Sequence, residues 1–135
     1  SILSAKLLEA QNRGISISVE IEEPVSNFRI ELLDFITVLS VLCDNAIEAT
    51  IEAINPRMTV AFMNNDDSLV LIVENSIKTE KVDVSRIFAR GYSSKGEGRG
   101  LGLHNVNSIL EKYPKSTITT RSANHLFSQT IRFCK

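Results

Sequence analysis

The sequence has no tryptophan, only two cysteines and only three prolines among its 135 residues. Cys43 lies in an apolar stretch and Cys134 next to the last residue, so they indicate neither a disulfide framework nor a metal site. His104 and His125 also lack metal-ligand spacing, and we expect them to be structural or surface residues. No signal peptide is evident, and no apolar run approaches the roughly 20 residues of a membrane span. We therefore expect a soluble domain in a reducing, cytoplasmic setting.

An excess of charge of one sign is also missing. The chain has 15 basic and 16 acidic residues, a formal net charge of −1 and a pI near 6.1. Nucleic-acid-binding domains usually carry a broad basic surface, so this balance argues against that class of partner. With 43% hydrophobic residues, the length fits one globular domain over residues 1–135 with one core.

The spacing of apolar residues predicts the order of helices and strands. We expect a helix over 1–13, a strand with one buried face over 15–21, a long helix over 31–53, paired strands over 58–63 and 69–73, a helix after the glycine segment, and paired strands over 116–121 and 127–133. The long helix is apolar nearly all round, so we expect it to be central and buried. Because the chain starts directly on a helix without methionine, we expect a piece of a longer protein, with residues 1–13 as the tail of a connection.

Glycine is scarce, yet five of the six glycines lie between residues 91 and 102. Four of them alternate with other residues: Gly96, Gly98, Gly100 and Gly102. Without a Cβ, such backbone can turn its N–H groups towards an anion. Lys95 and Arg99 add positive charge, and the helix that follows offers its N-terminal N–H groups to phosphate. The pattern predicts a lid over phosphates, and a flexible surface loop is the alternative.

Two common phosphate-binding motifs do not match this segment. A P-loop needs Lys-Ser or Lys-Thr directly after its last glycine, whereas Leu103 follows Gly102. A dinucleotide-binding fingerprint follows a strand, whereas residues 85–92 read as a short helix and a turn. The segment therefore indicates a different nucleotide-binding fold.

Polar residues interrupt the long apolar helix at Asp44, Asn45 and Glu48. Their spacings of three and four residues make them neighbours on the helix surface. Burial without partners would cost about 1–3 kcal/mol for each group, and a bound cation would satisfy them. The alternative is that this end of the helix is exposed and the three groups are solvated.

Two further residues are candidates for the nucleotide site. Asn75 closes a predicted strand, and its amide can donate and accept hydrogen bonds at once, as the edge of adenine requires. A turn-forming asparagine is the alternative. Phe88 precedes the glycine segment as an apolar anchor, and a plain core residue is the alternative there.

Taken together, these motifs resemble the ATP-binding catalytic domain of sensor histidine kinases, within the superfamily of gyrase, heat-shock chaperone, histidine kinase and mismatch-repair ATPases. The resemblance rests on residues 44–49, Asn75, Phe88 and the segment 91–103, and it covers nearly the whole chain. The chain most resembles the AgrC and ComD type of peptide-pheromone quorum-sensing kinases, and the citrate and fumarate sensor kinases come next. The resemblance implies an α+β Bergerat (GHKL ATPase) fold, a two-layer α/β sandwich in which helices back a mixed β-sheet.

The resemblance also implies a function and a site. ATP would bind between the long helix and the lid, with Asn45 coordinating Mg²⁺ and Lys95 acting beside it on the phosphates. The other implied nucleotide-binding residues are Asp44, Glu48, Ala49, Asn75, Phe88, Tyr92, Ser93, Gly98, Arg99, Gly100, Leu101, Gly102 and Leu103. The γ-phosphate would pass to a histidine on a separate dimerisation domain of the same kinase and then to a response regulator. The whole protein would be a membrane-anchored bacterial sensor of a two-component system, and this domain would be cytoplasmic, without direct membrane contact.

Three positions depart from the family pattern. Val41 stands where many histidine kinases have a first asparagine and where related ATP hydrolases have a glutamate base, so we expect weak intrinsic hydrolysis. Asn75 replaces an aspartate, which weakens adenine binding because charge-assisted hydrogen bonds are about twice as strong as neutral ones. Ser76, Ile77 and Lys78 follow in place of the glycines of the first glycine box, so the adenine loop has an altered geometry.

Two other functions stay open. An anti-sigma-type serine kinase of the same superfamily also lacks an attached acceptor, and the sequence upstream of Ser1 would decide. A non-catalytic regulatory module with a degenerate nucleotide site is the second, although the full glycine lid and Asn45 argue against it. Neither His104 nor His125 precedes the domain on a helix, so we expect the isolated chain to bind nucleotide without phosphorylating itself.

Overall fold

The computed structural model describes residues 2–22, 30–64, 67–82 and 101–134. These residues form helices and strands in the order α1 (Ile2–Asn12), β1 (Ser16–Ile21), α2 (Leu32–Thr50), β2 (Arg57–Asn64), β3 (Ser68–Ser76), α3 (Leu101–Leu110), β4 (Ser116–Ala123) and β5 (Leu126–Cys134). The strands make one sheet in the order β1-β2-β3-β5-β4. β1 runs parallel to β2 and the other pairs are antiparallel, so the predicted mixed sheet and α+β class are confirmed.

One face of this sheet carries the core. Val60, Leu71 and Val73 alternate with outward-facing residues along β2 and β3, and they pack against the buried stripe of α2 at Val38 and Leu42. α1 and α3 pack against α2. The sequence therefore places its longest apolar helix over the central strands, as predicted.

The first turn of α2 differs from the prediction of a helix buried all round. Leu32 and Leu33 are exposed, Leu33 by 74%. A helix that lies on one face of a sheet buries the stripe directed at the sheet and leaves the opposite stripe less covered. The apolar residues of α2 are therefore more numerous than its buried positions.

β1 also differs from its prediction. Ile15 and Ile17 are covered, but Val19 and Ile21 are exposed, Ile21 by 66%. In the described sheet β1 lies at one of the two edges and pairs with β2 alone. Alternation in the sequence gives the two faces of a strand, but it does not give the number of its neighbours.

Two turns contain residues with positive φ. Gly14 ends α1 at φ 86°, and its N–H donates to the carbonyl of Gln11 at 3.0 Å, as is typical of a glycine cap at a helix C-terminus. Asn124 and His125 have φ 53° and 62° in the two-residue turn between β4 and β5. Positive φ at both central residues gives a tight hairpin the twist of its strands.

A buried carboxylate ties the start of α2 to the end of α3. Asp34 is 8% exposed, and its Oδ2 accepts a hydrogen bond from the Tyr113 hydroxyl at 2.7 Å. The Lys112 ammonium lies 3.4 Å from Asp34 Oδ1, and the backbone N–H of Glu31 donates to the Tyr113 hydroxyl oxygen at 3.1 Å. Burial and the hydrogen bond to Asp34 raise the pKa of Tyr113, because both disfavour the phenolate.

We expect Tyr113→Phe to lower the free energy of unfolding by about 1–3 kcal/mol at pH 7, because Asp34 loses a donor while it stays buried. The folded-state pKa of Tyr113 lies above its usual value of 10.0, so this contribution is complete below pH 10 and is lost as the pH rises further. Urea unfolding at pH 7 measures the loss. Ser108→Ala, which removes an exposed hydroxyl on α3, is the control and should cost under about 0.5 kcal/mol. Equal effects of the two changes would contradict the role of Tyr113.

Candidate functional site

The second half of α2 carries four of the residues predicted to bind nucleotide. Asn45, Glu48 and Ala49 are half-buried, and Asp44 is exposed. Asp44 Oδ1 forms an ion pair with Lys6 Nζ of α1 at 2.6 Å. Asp44 therefore already has a cationic partner in Lys6. Asn45 and Glu48, which also have partners in the structure, stay candidates for the predicted cation site.

Asn75 lies inside β3 rather than in a turn. It pairs with Met58 of β2 on one side and with Phe127 of β5 on the other, and it is 2% exposed. Residues 73 and 75 share a face of β3, and Val73 packs in the core beneath α2. Asn75 therefore projects towards the helical layer, and its Nδ2 donates to the carbonyl of Ser76 at 3.1 Å. The alternative of a turn-forming asparagine is wrong.

Ser76, one of the residues that replace family glycines, joins the end of β3 to the end of α2. The hydroxyls of Ser76 and Thr50 lie 2.6 Å apart, and both are buried. Ser76 Oγ also donates to the carbonyl of Asn55 at 3.0 Å, and the backbone N–H of Arg57 donates to Thr50 Oγ1 at 3.0 Å. These hydrogen bonds hold the backbone directly after Asn75 in place. Sequence spacing gave no signal for the Thr50 and Ser76 pair, because the two residues are 26 positions apart.

α3 begins at Leu101, and its first turn lies against α2. A Cβ at Gly102 would come within 3.1 Å of Val41 Cγ1. Glycine at this position therefore allows the two helices to approach closely. Leu103 is buried in the core cluster, which gives this predicted nucleotide residue a packing role as well.

We expect the effect of Gly102→Ala to depend on residue 41. In the natural background the new methyl group crowds Val41, so a cost of overpacking offsets the gain of about 1 kcal/mol in helix propensity. In a Val41→Ala background the contact is gone, and Gly102→Ala should stabilise the protein. Urea unfolding of the four proteins gives the coupling energy, which should reach about 1 kcal/mol. The same cost in both backgrounds would contradict the close contact.

The structure brings three predicted segments together. α2 packs on β3 and on α3, so the helix with Asn45, the strand with Asn75 and the helix start at Gly102 are neighbours. Leu101 begins α3, and its side chain is not described. Seven predicted residues lie outside the described part of the chain: Phe88, Tyr92, Ser93, Lys95, Gly98, Arg99 and Gly100. Their positions in the site stay predictions.

The side-chain chemistry of α2 fits Mg²⁺ better than a transition metal. Within the described ranges, no group of three or more His, Cys, Asp or Glu side chains could hold a metal ion. Burial raises the pKa of Cys43 to about 12, so this thiol stays protonated inside the core. Mg²⁺ commonly takes only one or two protein oxygens, with water and substrate phosphates as its other ligands. Asn45 and Glu48 supply oxygens of this kind.

Comparison with known proteins decides the family. A family model described as the GHKL domain matches residues 30–134. The chain belongs to the GHKL domain family. Among curated proteins, the sensor protein CitS of Bacillus subtilis (strain 168) is 30% identical over 117 residues, which is 83% of this chain and 21% of CitS. The chain thus spans about a fifth of that relative.

Solved structures show the same fold. The catalytic domain of histidine kinase ThkA has a TM-score of 0.81 at 21% identity, over 98% of this GHKL chain and 86% of its own. Full-length ShkA in complex with AMPPNP has a TM-score of 0.77 at 16% identity, and the match covers 98% of this chain and 27% of the ShkA chain. Acinetobacter baumannii histidine kinase AdeS has a TM-score of 0.73 at 17% identity, and the match covers 98% of this chain and 62% of the AdeS chain. At these identities the likeness concerns the fold, and it confirms the expected Bergerat architecture.

Among the helices described for this GHKL domain, none is both long and apolar enough to cross a membrane.

Proposed function

We propose that this chain is the ATP-binding catalytic domain of a two-component sensor histidine kinase, which transfers the γ-phosphate of ATP to a histidine on a separate dimerisation domain. The observation that carries the proposal is the placement of Asn75, buried on β3 and directed at the helical layer in which α2 presents Asn45. Membership of the GHKL family over residues 30–134 supports it.

In this proposal the residues of α2 and β3 position the two ends of the nucleotide. Asn75 meets the edge of adenine, and the hydrogen bonds around Ser76 fix the backbone that follows it. Asn45 holds Mg²⁺, with Glu48 beside it on the next turn of α2. When bound, Mg²⁺ would neutralise charge on the β- and γ-phosphates during phosphoryl transfer.

The glycine segment supplies the other side of the site. Lys95, assigned a catalytic role, and Arg99 neutralise phosphate charge, while the backbone N–H groups of Gly98, Gly100 and Gly102 approach the phosphates. The remaining proposed nucleotide contacts are Asp44, Ala49, Phe88, Tyr92, Ser93, Leu101 and Leu103. These residues complete a site that acts by positioning and charge neutralisation.

In this proposal the domain hydrolyses ATP slowly, because Val41 occupies the position of a catalytic base. A valine cannot take a proton from water, and here its side chain lies at the contact with Gly102. Slow hydrolysis would keep ATP intact until the acceptor histidine arrives.

The proposal extends to the whole protein of which this chain is a part. The acceptor is a dimerisation domain of the same kinase, and a response regulator receives the phosphate afterwards. CitS, a bacterial protein that is named a sensor protein, supports the sensor role. We extend the proposal to a membrane-anchored sensor with this domain in the cytoplasm. We place the chain near the AgrC and ComD type of quorum-sensing kinases.

Phosphotransfer from radiolabelled ATP tests the proposal. The chain is incubated with ATP and Mg²⁺, alone and together with the dimerisation domain of the same protein. We expect acid-labile phosphohistidine on the dimerisation domain and none on this chain. Acid-labile phosphate on the chain itself, or acid-stable phosphoserine on a partner as in anti-sigma-type kinases, would contradict it.

A further inference from the structure

A second buried amide lies on the same face of the sheet as Asn75. Gln129 of β5 is 2% exposed and pairs with Val73 of β3. Directly paired residues of antiparallel strands share a face, so Gln129 projects with Val73 towards the helical layer. Ile131 and Phe133, which follow on this face of β5, belong to the core cluster. Gln129 is therefore a polar residue at a position where its neighbours along the strand are apolar.

The register of the strands places Gln129 close to Asn75. Asn75 pairs with Phe127, and Gln129 is the next residue of β5 on the same face. Diagonal neighbours of this kind lie about 7–8 Å apart, a distance that long side chains can span. The amide groups of Asn75 and Gln129 can therefore contact one planar base placed over this part of the sheet.

α3 leads away from this part of the sheet. It begins against Val41, in the middle of α2, where a Cβ at Gly102 would come within 3.1 Å of the valine. Tyr113, just after α3, donates to Asp34 at the start of α2 and stacks edge-on against Phe133. α3 therefore runs towards the end of β5 that lies opposite Gln129, and it does not fill the space above this amide.

The second half of α2 borders that space. The hydroxyls of Thr50 and Ser76 lie 2.6 Å apart, so α2 ends beside the end of β3. Asn45 lies about 7.5 Å before Thr50 along the helix axis, because an α-helix rises 1.5 Å per residue. Gln129 and the proposed magnesium ligand therefore border the same region, the one in which the proposed function places ATP.

The amide of Gln129 keeps hydrogen-bonding capacity for a ligand. In the described part of the chain its side chain makes one hydrogen bond, in which Nε2 lies 3.4 Å from Thr120 Oγ1. This distance exceeds the usual range of about 2.7–3.2 Å. A glutamine amide has two N–H donors and an oxygen with two lone pairs. Since buried polar groups are normally hydrogen-bonded, a buried amide with one long bond indicates a further partner.

We propose that Gln129 is a second residue that recognises the adenine base, an inference that rests on the proposed function. Asn75 Nδ2 already donates to the carbonyl of Ser76 at 3.1 Å, so Asn75 Oδ1 accepts from the 6-amino group of adenine. Gln129 Nε2 turns from Thr120 and donates to ring N1, the acceptor beside that amino group. Gln129 thus adds a hydrogen bond to the weaker contact that a neutral amide at position 75 makes with the base.

Calorimetric titration with ADP and with 1-deaza-ADP, in which carbon replaces ring N1, tests the proposal in the presence of Mg²⁺. The natural protein should bind 1-deaza-ADP about tenfold more weakly than ADP, because one hydrogen bond to the base is lost. Gln129→Met removes the amide and keeps the length of the side chain. It should weaken ADP binding about tenfold and leave the affinity for 1-deaza-ADP unchanged.

Gln11→Met is the matched control, because it makes the same chemical change at an exposed position of α1. It should leave both affinities unchanged. Urea unfolding shows whether the variants are folded, and Gln129→Leu replaces Gln129→Met if the latter is not.

Equal affinity of the natural protein for ADP and 1-deaza-ADP would overturn the proposal without any variant. Unchanged ADP binding by Gln129→Met would also overturn it. So would an equal loss of affinity for both nucleotides, since Gln129 would then act through packing. These three results leave the proposed function standing, because the nucleotide still binds. If the natural protein binds no ADP, both the adenine contact and the proposed function are wrong.

Discussion

Replacement of Asn45 by alanine should weaken the binding of ATP, or of a non-hydrolysable analogue, by about a hundredfold in the presence of Mg²⁺. The amide oxygen of Asn45 is the proposed protein ligand of the metal, and Glu48 alone would hold it less well. Without Mg²⁺ the natural and variant proteins should bind nucleotide with similar, weak affinity. Isothermal titration calorimetry at matched ionic strength measures all four affinities.

A matched control separates this effect from a general loss of structure. Asn105→Ala makes the same chemical change at an exposed position of α3 and should leave the Mg²⁺-dependent affinity unchanged. If Asn45→Ala binds Mg²⁺-nucleotide as tightly as Asn105→Ala does, the assignment of Asn45 is wrong. If the loss persists without Mg²⁺, Asn45 contacts the nucleotide directly instead of through the metal.

Truncation of Leu42 to alanine should lower the free energy of unfolding by about 2–5 kcal/mol. Leu42 is 1% exposed and lies in the stripe of α2 that packs on the central strands, so its loss leaves a cavity that close-packed neighbours cannot fill. This is a large share of the stability of a single small domain. Urea or thermal unfolding at neutral pH measures it.

Leu33→Ala on the same helix is the control. Leu33 is 74% exposed, so its truncation should change the free energy of unfolding by less than about 0.5 kcal/mol. A large loss at Leu33 would mean that α2 is covered on its outer side as well, as the sequence alone had predicted. Similar losses at both leucines would contradict the packing of α2 described here.

The order of helices and strands was predictable from the sequence because the core is periodic. Val60 and Val73 alternate with outward-facing residues along paired strands, and such alternation is visible in the sequence. The exposure of Ile21 was not predictable, since an edge strand and a central strand share the same alternation. Sequence patterns give the faces of an element, and the sheet order decides which faces are covered.

The candidate site was predictable as a set of residues rather than as an arrangement. Asn45 stood out because a polar side chain in an apolar helix needs partners, and Asn75 stood out because an amide at a strand end can both donate and accept hydrogen bonds. Lys6, the partner of Asp44, did not stand out in the sequence, because it lies on another helix and 38 positions away. Only the structure shows that Asp44 has its own cation, or that Asn75 lies inside a strand.

Gly102 shows the same limit of prediction from the sequence. The sequence assigned Gly102 to the lid because it is the last of four alternating glycines. In the structure it also lies at the contact between α3 and Val41, a reason for glycine that depends on helix packing. Gly102 can thus belong to a motif and also make a packing contact. The sequence shows the motif, and only the structure shows the contact.

The measurement that tests the central claim most directly is a calorimetric titration of the unaltered chain with AMPPNP, with and without Mg²⁺. The proposed function predicts saturable binding to one site that strengthens when Mg²⁺ is present. The absence of binding even at millimolar nucleotide would contradict it and would indicate a regulatory GHKL domain with a degenerate nucleotide site.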